Sequence, residues 1–216
     1  MSVVRTHEIF KSNSSNSGLT EQMRVMAVVV FTVLAVGCSK APPWVALEHA
    51  CNSKDIHACA RLAAMYRKGE GVAKDEVKAV ALFRKACDGG ETRGCFDLGN
   101  MYANGLGVAP DHTKAVALFQ KVCDGGNADG CLNLGSMYYL GWGVVQDKTK
   151  AIALYQKACD GAEEMACNNT GVMYKTGDGV PQDDAKASAV FKKACDAGLA
   201  FSCPGSSLIM FSALKQ

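Results

Sequence analysis

Residues 95–123 have the sequence CFDLGNMYANGLGVAPDHTKAVALFQKVC, in which two apolar patterns are separated by a glycine turn. In each half, apolar and small residues follow the i, i+3, i+4, i+7 spacing that places them on one face of a helix. They are Cys95, Leu98, Gly99 and Tyr102 in the first half, and Ala115, Leu118, Phe119 and Val122 in the second. The glycines of the turn permit positive φ, and Asp111 is suited to cap the second helix. The segment therefore predicts a hairpin of two antiparallel helices, helix A and helix B.

The same pattern recurs along the chain every 36 residues. Ten of the 11 cysteines form five pairs whose members are eight residues apart, and the step from one pair to the next is 36. The pairs are Cys51 and Cys59, Cys87 and Cys95, Cys123 and Cys131, Cys159 and Cys167, and Cys195 and Cys203. Columns of methionine, tyrosine, glycine, aspartate and lysine keep the same step. A fixed period of this length indicates a repeat architecture, so we predict an all-α solenoid of antiparallel helix pairs.

The repeat resembles the Sel-one-like repeat, a relative of the tetratricopeptide repeat. The resemblance rests on Leu-Gly-x-Met-Tyr, Gly-x-Gly-Val, Asp-x-x-Lys-Ala and Lys-Ala-Cys-Asp-Gly, and the Cys-x7-Cys spacing is similar to that of the Helicobacter-type cysteine-rich proteins. It covers about residues 44–203, within a predicted solenoid domain of residues 44–216. The full units are residues 59–87, 95–123, 131–159 and 167–195, with partial units at both ends. The resemblance implies an α-solenoid that wraps into a superhelix with a concave binding face.

The ten paired cysteines are predicted to form disulfides that cross-link the helix pairs. Structural zinc sites usually draw on close Cys-x2-4-Cys pairs, which this sequence lacks. In an antiparallel hairpin, Cys59 lies near both Cys51 and Cys87. Pairing Cys59 with Cys87, and so on along the chain, would leave Cys51 and Cys203 without partners, whereas pairing at a spacing of eight leaves none over. We therefore expect five bridges, each joining one helix B to the next helix A.

The eleventh cysteine, Cys38, follows an apolar segment that is typical of an export signal. Residues 1–22 are polar, and we expect them to be disordered or to precede a true start at Met23. Residues 23–37 contain Arg24 and then thirteen uncharged residues, the length of a signal-peptide core. The end of this segment resembles a bacterial lipoprotein lipobox, with Ala35 in place of a large aliphatic residue, and this implies lipid attachment to Cys38.

The resemblance to a lipoprotein implies a lipid-anchored protein of the bacterial cell envelope, at the outer membrane and facing the periplasm or the surface. The alternatives are an uncleaved anchor or an ordinary cleaved signal, which would make the protein secreted. Residues 38–43 would be a linker between the anchor and the solenoid.

Charge and histidine placement argue against several other functions. The chain has 23 Lys and Arg against 21 Asp and Glu, a formal net charge of +2. This charge does not indicate a basic surface for binding nucleic acid. Its four histidines share no repeat column and are expected on the solvated surface: His7, His49, His57 and His112. The methionine and tyrosine columns fit core packing better than a metal site. We therefore predict no metal, no cofactor and no nucleic-acid partner.

The Helicobacter-type resemblance also implies an alternative function, that of a β-lactamase or penicillin-binding-type hydrolase. Lys175-Thr176-Gly177 and Ser212-Ala-Leu-Lys215 match motifs of the serine β-lactamases. The first occupies a repeat position whose glycine is explained by the turn. The second follows the first, the reverse of the required order, and no Ser-Asp-Asn occurs. We therefore predict no catalytic residues and favour a non-catalytic scaffold.

Helix A keeps one variable, mostly polar strip at i, i+3, i+7 once the core columns are set aside. Resemblance to tetratricopeptide-like solenoids implies that helix A lines the concave face, where Asn side chains hold a peptide backbone through paired donor and acceptor groups. The candidate binding residues are Arg61, Lys68, Asp97, Asn100, Asn104, Asn133, Ser136 and Asn169. A solvated face without a ligand is the alternative interpretation. The predicted ligand is a protein or a peptide.

Overall fold

The computed structural model describes residues 42–196 and Gly198, and within them it contains nine helices and no strand. The helices are α1 (Pro43–Asn52), α2 (Ile56–Lys68), α3 (Glu76–Asp88), α4 (Thr92–Asn104), α5 (His112–Asp124), α6 (Ala128–Leu140), α7 (Lys148–Asp160), α8 (Glu164–Thr176) and α9 (Asp184–Asp196). Each helix packs against the helices before and after it in the chain. The predicted all-α repeat solenoid is confirmed.

Four helix pairs make up four units. Unit 1 contains α2 and α3, unit 2 contains α4 and α5, unit 3 contains α6 and α7, and unit 4 contains α8 and α9. The first helix of each unit corresponds to helix A and the second to helix B. Helix α1 precedes unit 1 in the place of a helix B, and its Cys51 is buried against α2.

The aspartate column lies immediately before helix B in every unit. The side chain of this aspartate accepts the backbone N–H three residues later, at 2.9 Å in the case of Asp111 and Lys114. The backbone N–H of the same aspartate donates to the carbonyl oxygen of the helix A tyrosine. Four such bonds of 2.9 Å are present: Asp75 to Tyr66, Asp111 to Tyr102, Asp147 to Tyr138, and Asp183 to Tyr174. One residue type therefore caps helix B and ties it to helix A.

The lysine column lies over the tyrosine column. The ammonium nitrogen is 4.1 to 5.4 Å from the ring centroid in the four pairs Lys78 with Tyr66, Lys114 with Tyr102, Lys150 with Tyr138, and Lys186 with Tyr174. Only Tyr102 of these tyrosines is buried, and the other three are half-buried. The tyrosine column is therefore part of the core, as predicted, since Tyr102 belongs to the buried cluster and the other three rings pack against it, while a lysine makes a cation–π contact with each ring.

The core lies between the two helices of each unit, where small residues of helix A face aromatic rings of helix B. A Cβ added at Gly99 would lie 2.7 Å from the ring of Phe119, and one at Gly135 would lie 2.8 Å from the ring of Tyr155. Gly171 has the same relation to Phe191. At these positions the absence of a side chain allows the close approach of helix B. The methionines of units 2 to 4 are buried as predicted: Met101, Met137 and Met173.

The loop between helix A and helix B packs against the preceding unit. A Cβ at Gly107 in unit 2 would overlap with the backbone of Glu76, the first residue of α3. Gly143 in unit 3 has the same relation to the backbone of His112, at the start of α5. The second glycine of each of these loops is therefore required for close contact between units as well as for its positive φ.

Among the residues that the structure describes, four disulfides each join a helix B to the next helix A. They are Cys51–Cys59, Cys87–Cys95, Cys123–Cys131 and Cys159–Cys167, each with a sequence separation of eight. The predicted pairing is confirmed for these four bridges. Cys203, the predicted partner of Cys195, lies outside the described residues.

A lysine ladder connects successive helices B beside the disulfides. Lys85 Nζ donates to the carbonyl oxygen of Cys51 at 2.7 Å, Lys121 Nζ to that of Cys87 at 3.2 Å, and Lys157 Nζ to that of Cys123 at 3.0 Å. Each acceptor lies in the last turn of a helix, where carbonyl groups lack an intrahelical partner. The ammonium group also complements the negative end of the helix dipole.

Several predicted segments lie outside the described residues. They are the polar residues 1–22, the signal 23–37, residues 38–41 of the predicted linker with Cys38, and the partial repeat after Cys203; the last two linker residues are described, and Pro43 begins α1. These interpretations stay predictions. Within the described part of the chain, no helix has the length and apolar character needed to cross a membrane.

Candidate functional site

The candidate binding strip lies on the four helices A. Arg61, Lys68 and Asn104 are exposed, and four other members of the strip are half-buried, namely Asn100, Asn133, Ser136 and Asn169. The eighth member, Asp97, is buried. The strip is therefore partly exposed and partly enclosed between neighbouring helices.

Two members of the strip bond to each other across units 2 and 3. Asn133 Nδ2 on α6 donates to Asn100 Oδ1 on α4 at 3.0 Å. A primary amide has two N–H donors and an oxygen with two lone pairs, so this bond uses only part of the capacity of either side chain. The pair therefore presents both donors and acceptors between adjacent helices A, which is the chemistry that a peptide backbone requires.

Asn169 occupies on α8 the position that Asn133 occupies on α6, one repeat of 36 residues later. It is half-buried, like Asn133. The two amides therefore repeat along the solenoid with the period of the units.

Two other polar members of the strip are engaged within their own units. Asn104 Nδ2 donates to the backbone oxygen of Asn100, one turn earlier, at 2.8 Å. Ser136 Oγ donates to the Leu132 carbonyl oxygen at 3.1 Å and accepts from the Tyr155 hydroxyl at 3.1 Å. Burial raises the pKa of Tyr155 to about 12, so this hydroxyl stays a neutral donor. Ser136 therefore contributes to the packing of helix A on helix B in unit 3.

Asp97 departs from the expected polar surface. It is only 4% exposed, with Arg67 Nη1 3.2 Å from its Oδ1 and Arg93 Nε 3.1 Å from its Oδ2. The reason is that this column faces the preceding helix A, from which Arg67 comes, and a carboxylate in such a place needs charge partners. Asp97 thus joins units 1 and 2. The sequence analysis did not predict either arginine as a partner of Asp97. Arg93 could have been found, because it lies four residues before Asp97, the spacing at which oppositely charged side chains on one helix can pair.

A second polar cluster that sequence reasoning missed joins units 3 and 4. The Tyr139 hydroxyl donates to Asp178 Oδ2 at 2.7 Å, and Lys148 Nζ lies 2.6 Å from Asp178 Oδ1. The hydrogen bond from Lys148 holds the pKa of Asp178 below its ordinary value. Burial, followed by the bond to Asp178, raises the pKa of Tyr139 to about 12. This cluster ties the loop of unit 4 to both helices of unit 3.

One loop exposes large apolar side chains. In unit 3 the loop contains Trp142, which is 45% exposed, and Val145, which is 88% exposed. The Trp142 ring stacks on the imidazole of His112, with ring centroids 5.1 Å apart. His112 is half-buried rather than solvated as predicted. The difference between this loop and the others can be seen in the sequence. At the position of Trp142, the other three loops have Glu70, Leu106 and Asp178.

The segment that matches a hydrolase motif is explained by the turn that it forms. Lys175 Nζ lies 3.0 Å from Asp184 Oδ1, and Thr176 Oγ1 donates to the Val172 carbonyl oxygen at 2.9 Å. Gly177 is the left-handed C-cap of α8, with a φ of 72°. Ser212 and Lys215 lie outside the described residues. Nothing in the part of the chain that the structure describes supports the hydrolase alternative.

Histidines and acidic residues do not converge on a metal site in the described part of the chain. No group of three or more His, Cys, Asp or Glu side chains there has the arrangement to hold a metal ion. His57 contacts Glu91 of the next unit, with Nδ1 2.5 Å from Oε2. This contact lies at a junction between units.

Comparison with known proteins identifies the repeat. The Sel1 repeat model matches residues 56–91, 92–127, 128–162 and 164–199. The comparison with curated proteins found no match. A protective antigen of uropathogenic Escherichia coli that displays an SLR fold is similar in structure, with a TM-score of 0.72 and 27% sequence identity over 82% of this chain. The match covers 38% of the antigen, so the chain spans well under half of its length.

Two other solved structures are similar. A Sel1 repeat protein from Oxalobacter formigenes has a TM-score of 0.66 and 26% identity, over 74% of this chain and 71% of that protein. Helicobacter pylori cysteine-rich protein B is 30% identical over 62% of this chain and 99% of that protein, with a TM-score of 0.49. The four matched repeats cover more than half of the sequence and coincide with the four helix pairs, so the chain belongs to the Sel1 repeat family.

Proposed function

We propose that this protein is a non-catalytic scaffold of the cell envelope that binds a protein or an extended peptide along its helices A. Sel1 repeat proteins generally mediate protein–protein interactions, and their fold is typically non-catalytic. The observation that carries the proposal is the amide pair of Asn100 and Asn133, with Asn169 in the same column one unit later.

The spacing of these amides suits an extended chain. Packed helices lie about 8–10 Å apart. An extended peptide advances about 3.3 Å per residue, so three of its residues span about the same distance. Asn133 and Asn169, which occupy the same column on successive helices A, would therefore meet peptide groups about three residues apart. Because an amide both donates and accepts, each can bind a backbone N–H and a backbone C=O of the ligand without reading its sequence.

The envelope location rests on the amino-terminal segment and on the disulfides. The apolar residues 25–37 followed by Cys38 support export and lipid attachment. Disulfides persist in oxidising compartments such as the periplasm, and four are present between neighbouring helices. An exported chain without a lipid anchor, which would be secreted, is the alternative location.

The test combines capture and affinity. Full-length wild-type protein is used to capture partners from an envelope extract, and the affinity of each partner is then measured for Asn133→Ala, Asn169→Ala and the double variant. Loss of one buried amide contact costs about 1–3 kcal/mol, so each single variant should bind roughly tenfold more weakly. Gln120→Ala is the matched control, because this amide lies on a helix B, outside the strip, and bonds within its own helix to Asp124.

Melting temperatures separate binding from folding in the same variants. Asn169→Ala should change the free energy of unfolding by no more than about 0.5 kcal/mol. Asn133→Ala also loses the bond to Asn100, which adds about 1 kcal/mol. Unchanged affinity in a folded double variant would contradict the site. The apolar loop with Trp142 and Val145 would then be the next surface to test.

A further inference from the structure

Helix α2 differs in charge from the other helices A. It contains Arg61, Arg67 and Lys68 and no acidic residue. Helix α4 has one arginine and one aspartate, α6 has one aspartate and no lysine or arginine, and α8 has one glutamate and one lysine. The basic residues of the four helices A are therefore concentrated in unit 1.

One carboxylate of unit 2 lies against this group of charges. Asp97 is bound by Arg67 Nη1 at 3.2 Å and by Arg93 Nε at 3.1 Å, so two guanidinium groups share one acid. Arg67 also lies over the Phe83 ring, 5.8 Å from its centroid. Arg93 lies over the Phe96 ring, 5.6 Å from its centroid. Asp97 therefore orders both cations but neutralises only one of their two charges.

Arg61 and Lys68 are the exposed cations of α2. Within the described part of the chain, no hydrogen bond or ion pair engages the Arg61 guanidinium. Lys68 lies seven residues later, nearly two turns along the same face of the helix and about 10.5 Å further along its axis. Lys68 Nζ is 3.4 Å from Glu70 Oε1, but both side chains are more than half exposed, so this pair contributes little. Between the two cations lies Ala64, a single methyl group, so both charges stay accessible.

The region stays positive after its ion pairs are counted. Its cations are Arg61, Arg67, Lys68 and Arg93, and its acids are Glu70 and Asp97, so four positive charges face two negative ones. Unit 3 is the reverse, because Asp129 there occupies the helix position of Arg93, four residues before Asn133. The charge beside the candidate binding strip therefore changes sign along the solenoid.

Arg61 occupies in unit 1 the position that Asn133 and Asn169 occupy in units 3 and 4. An amide both donates and accepts and so suits a peptide group, whereas a guanidinium has five N–H donors and no acceptor. Two of these donors can bind one carboxylate through parallel hydrogen bonds. In unit 2 the same column contains Asp97, whose two oxygens are bound by arginines. The column therefore offers carboxylate binding in unit 1 and backbone binding in units 3 and 4.

We propose that the partner segment bound along the helices A is acidic at one end, and that Arg61 binds a carboxylate of that end. This inference rests on the proposed function and adds the chemistry of the ligand and the direction in which it lies. The carboxylate belongs to an Asp or Glu side chain or to the carboxyl terminus of the partner, since Arg61 binds either in the same way. With about three peptide residues per unit, it lies about six residues from the peptide group at Asn133.

The charges of the two ends of the strip fix this direction. Lys68 and the arginines attract an acidic segment to unit 1, whereas Asp129 repels it from unit 3. The contacts are exposed, so the attraction should weaken as the salt concentration rises.

The probes are fluorescein-labelled dodecapeptides of glycine and serine. Two have blocked ends and three glutamates, at the amino end in one and at the carboxyl end in the other. Two further probes, also with blocked ends, have glutamine in place of glutamate. A fifth has neither glutamate nor glutamine but a free carboxyl terminus. Fluorescence anisotropy measures their affinity for the full-length protein.

At least one carboxylate probe should bind roughly tenfold more tightly than the matching glutamine probe, because hydrogen bonds to charged groups are the stronger ones. A preference for one glutamate probe over the other shows which end of the peptide lies over unit 1. Tight binding of the fifth probe alone assigns the site to a terminal carboxylate. Equal binding of the glutamate and glutamine probes together with weak binding of the fifth would overturn the proposal, as would the failure of every carboxylate probe to bind.

Arg61→Gln should remove most of the preference for a carboxylate. Lys192→Gln is the matched control, because it removes one positive charge from an exposed position of α9, outside the strip. Both variants should keep the wild-type melting temperature to within a few degrees, since exposed positions contribute little to stability. Equal affinity of the two folded variants for the carboxylate probes would contradict the role of Arg61.

Asn133→Ala, measured with the same probes, separates this inference from the proposed function. If Asn133→Ala weakens every probe equally and Arg61→Gln weakens none, the backbone site stands and the acidic partner is wrong. If Arg61→Gln weakens only the carboxylate probes and Asn133→Ala has no effect, the carboxylate site stands and the backbone site is wrong.

Discussion

Replacing Gly107 with alanine should destabilise the solenoid much more than the same change at Gly71, although both glycines occupy the same position in their loops. Both have positive φ, 65° at Gly107 and 73° at Gly71. Alanine therefore carries a similar steric cost at either position, about 1–2 kcal/mol. Only at Gly107 would the new Cβ overlap with the backbone of Glu76 in the preceding unit. At Gly71 the nearest atom is the terminal methyl of Met65, at 3.4 Å.

The difference between the two variants measures the contact between units. A flexible methionine end can move away, whereas the first turn of α3 cannot move without disturbing its cap. Overpacking of this kind typically costs about 1–3 kcal/mol. In a domain of this size, 1 kcal/mol lowers the melting temperature by about 2–4 °C. Gly107→Ala should therefore melt roughly 2–12 °C below Gly71→Ala.

Differential scanning calorimetry of the full-length protein under non-reducing conditions measures this difference directly. Wild type and both variants should show a helical circular dichroism spectrum before heating. Because each unit is stabilised mainly by its neighbours, the Gly107 variant should also unfold over a broader temperature range. Equal melting temperatures for the two variants would refute the conclusion that the loop of unit 2 packs tightly on α3.

Two predictions concern the cysteines. Non-reducing peptide mapping should find five bridges between cysteines eight residues apart, the fifth joining Cys195 to Cys203, and bridges 28 residues apart would contradict the pairing. Metabolic labelling with palmitate should mark the wild type and leave Cys38→Ala unlabelled. Removal of residues 1–37 takes away three basic and two acidic residues and leaves 20 against 19, so membrane attachment must come from the acyl chains. A Cys38→Ala variant that stays fully membrane-bound after export and signal cleavage would argue against the lipid anchor.

The helix pairs and four bridges were predictable because they depend on distances along one chain segment. The spacing of Cys95, Leu98 and Tyr102 places them on one helix face whatever the neighbours are. Cysteines eight residues apart span a single turn between helices, and the parity of their number selected that pairing. Loop glycines were assigned to turns for the correct reason, their positive φ. Their second role, contact with the preceding unit, depends on the stacking geometry and was not predictable from spacing.

The candidate site was less predictable because burial on helix A depends on the adjacent helix A. Asp97 and Asn133 share a column, yet Asp97 is enclosed by two arginines and Asn133 bonds to Asn100. The partners from the preceding helix A, Arg67 and Asn100, lie 30 and 33 residues earlier in the chain. The 36-residue period shows which residues occupy equivalent positions in the repeat. Contacts between non-equivalent positions of neighbouring units can be predicted only when the packing of one unit on the next is known.

The lysine ladder has a consequence for how such a gene can change in length. Each rung joins a lysine Nζ to a cysteine carbonyl oxygen 34 residues earlier, and each disulfide joins cysteines eight residues apart, so both contacts recur with the period of the repeat. Deleting residues 92–127 would leave Cys87 eight positions from Cys131 and would put Glu91 before α6 in place of Asn127. Every rung, bridge and cap would re-form in register. Recombination between repeats can therefore add or remove 36 codons without a frameshift and with every rung, bridge and cap in register, while junction-specific pairs such as Asn133 with Asn100 are exchanged.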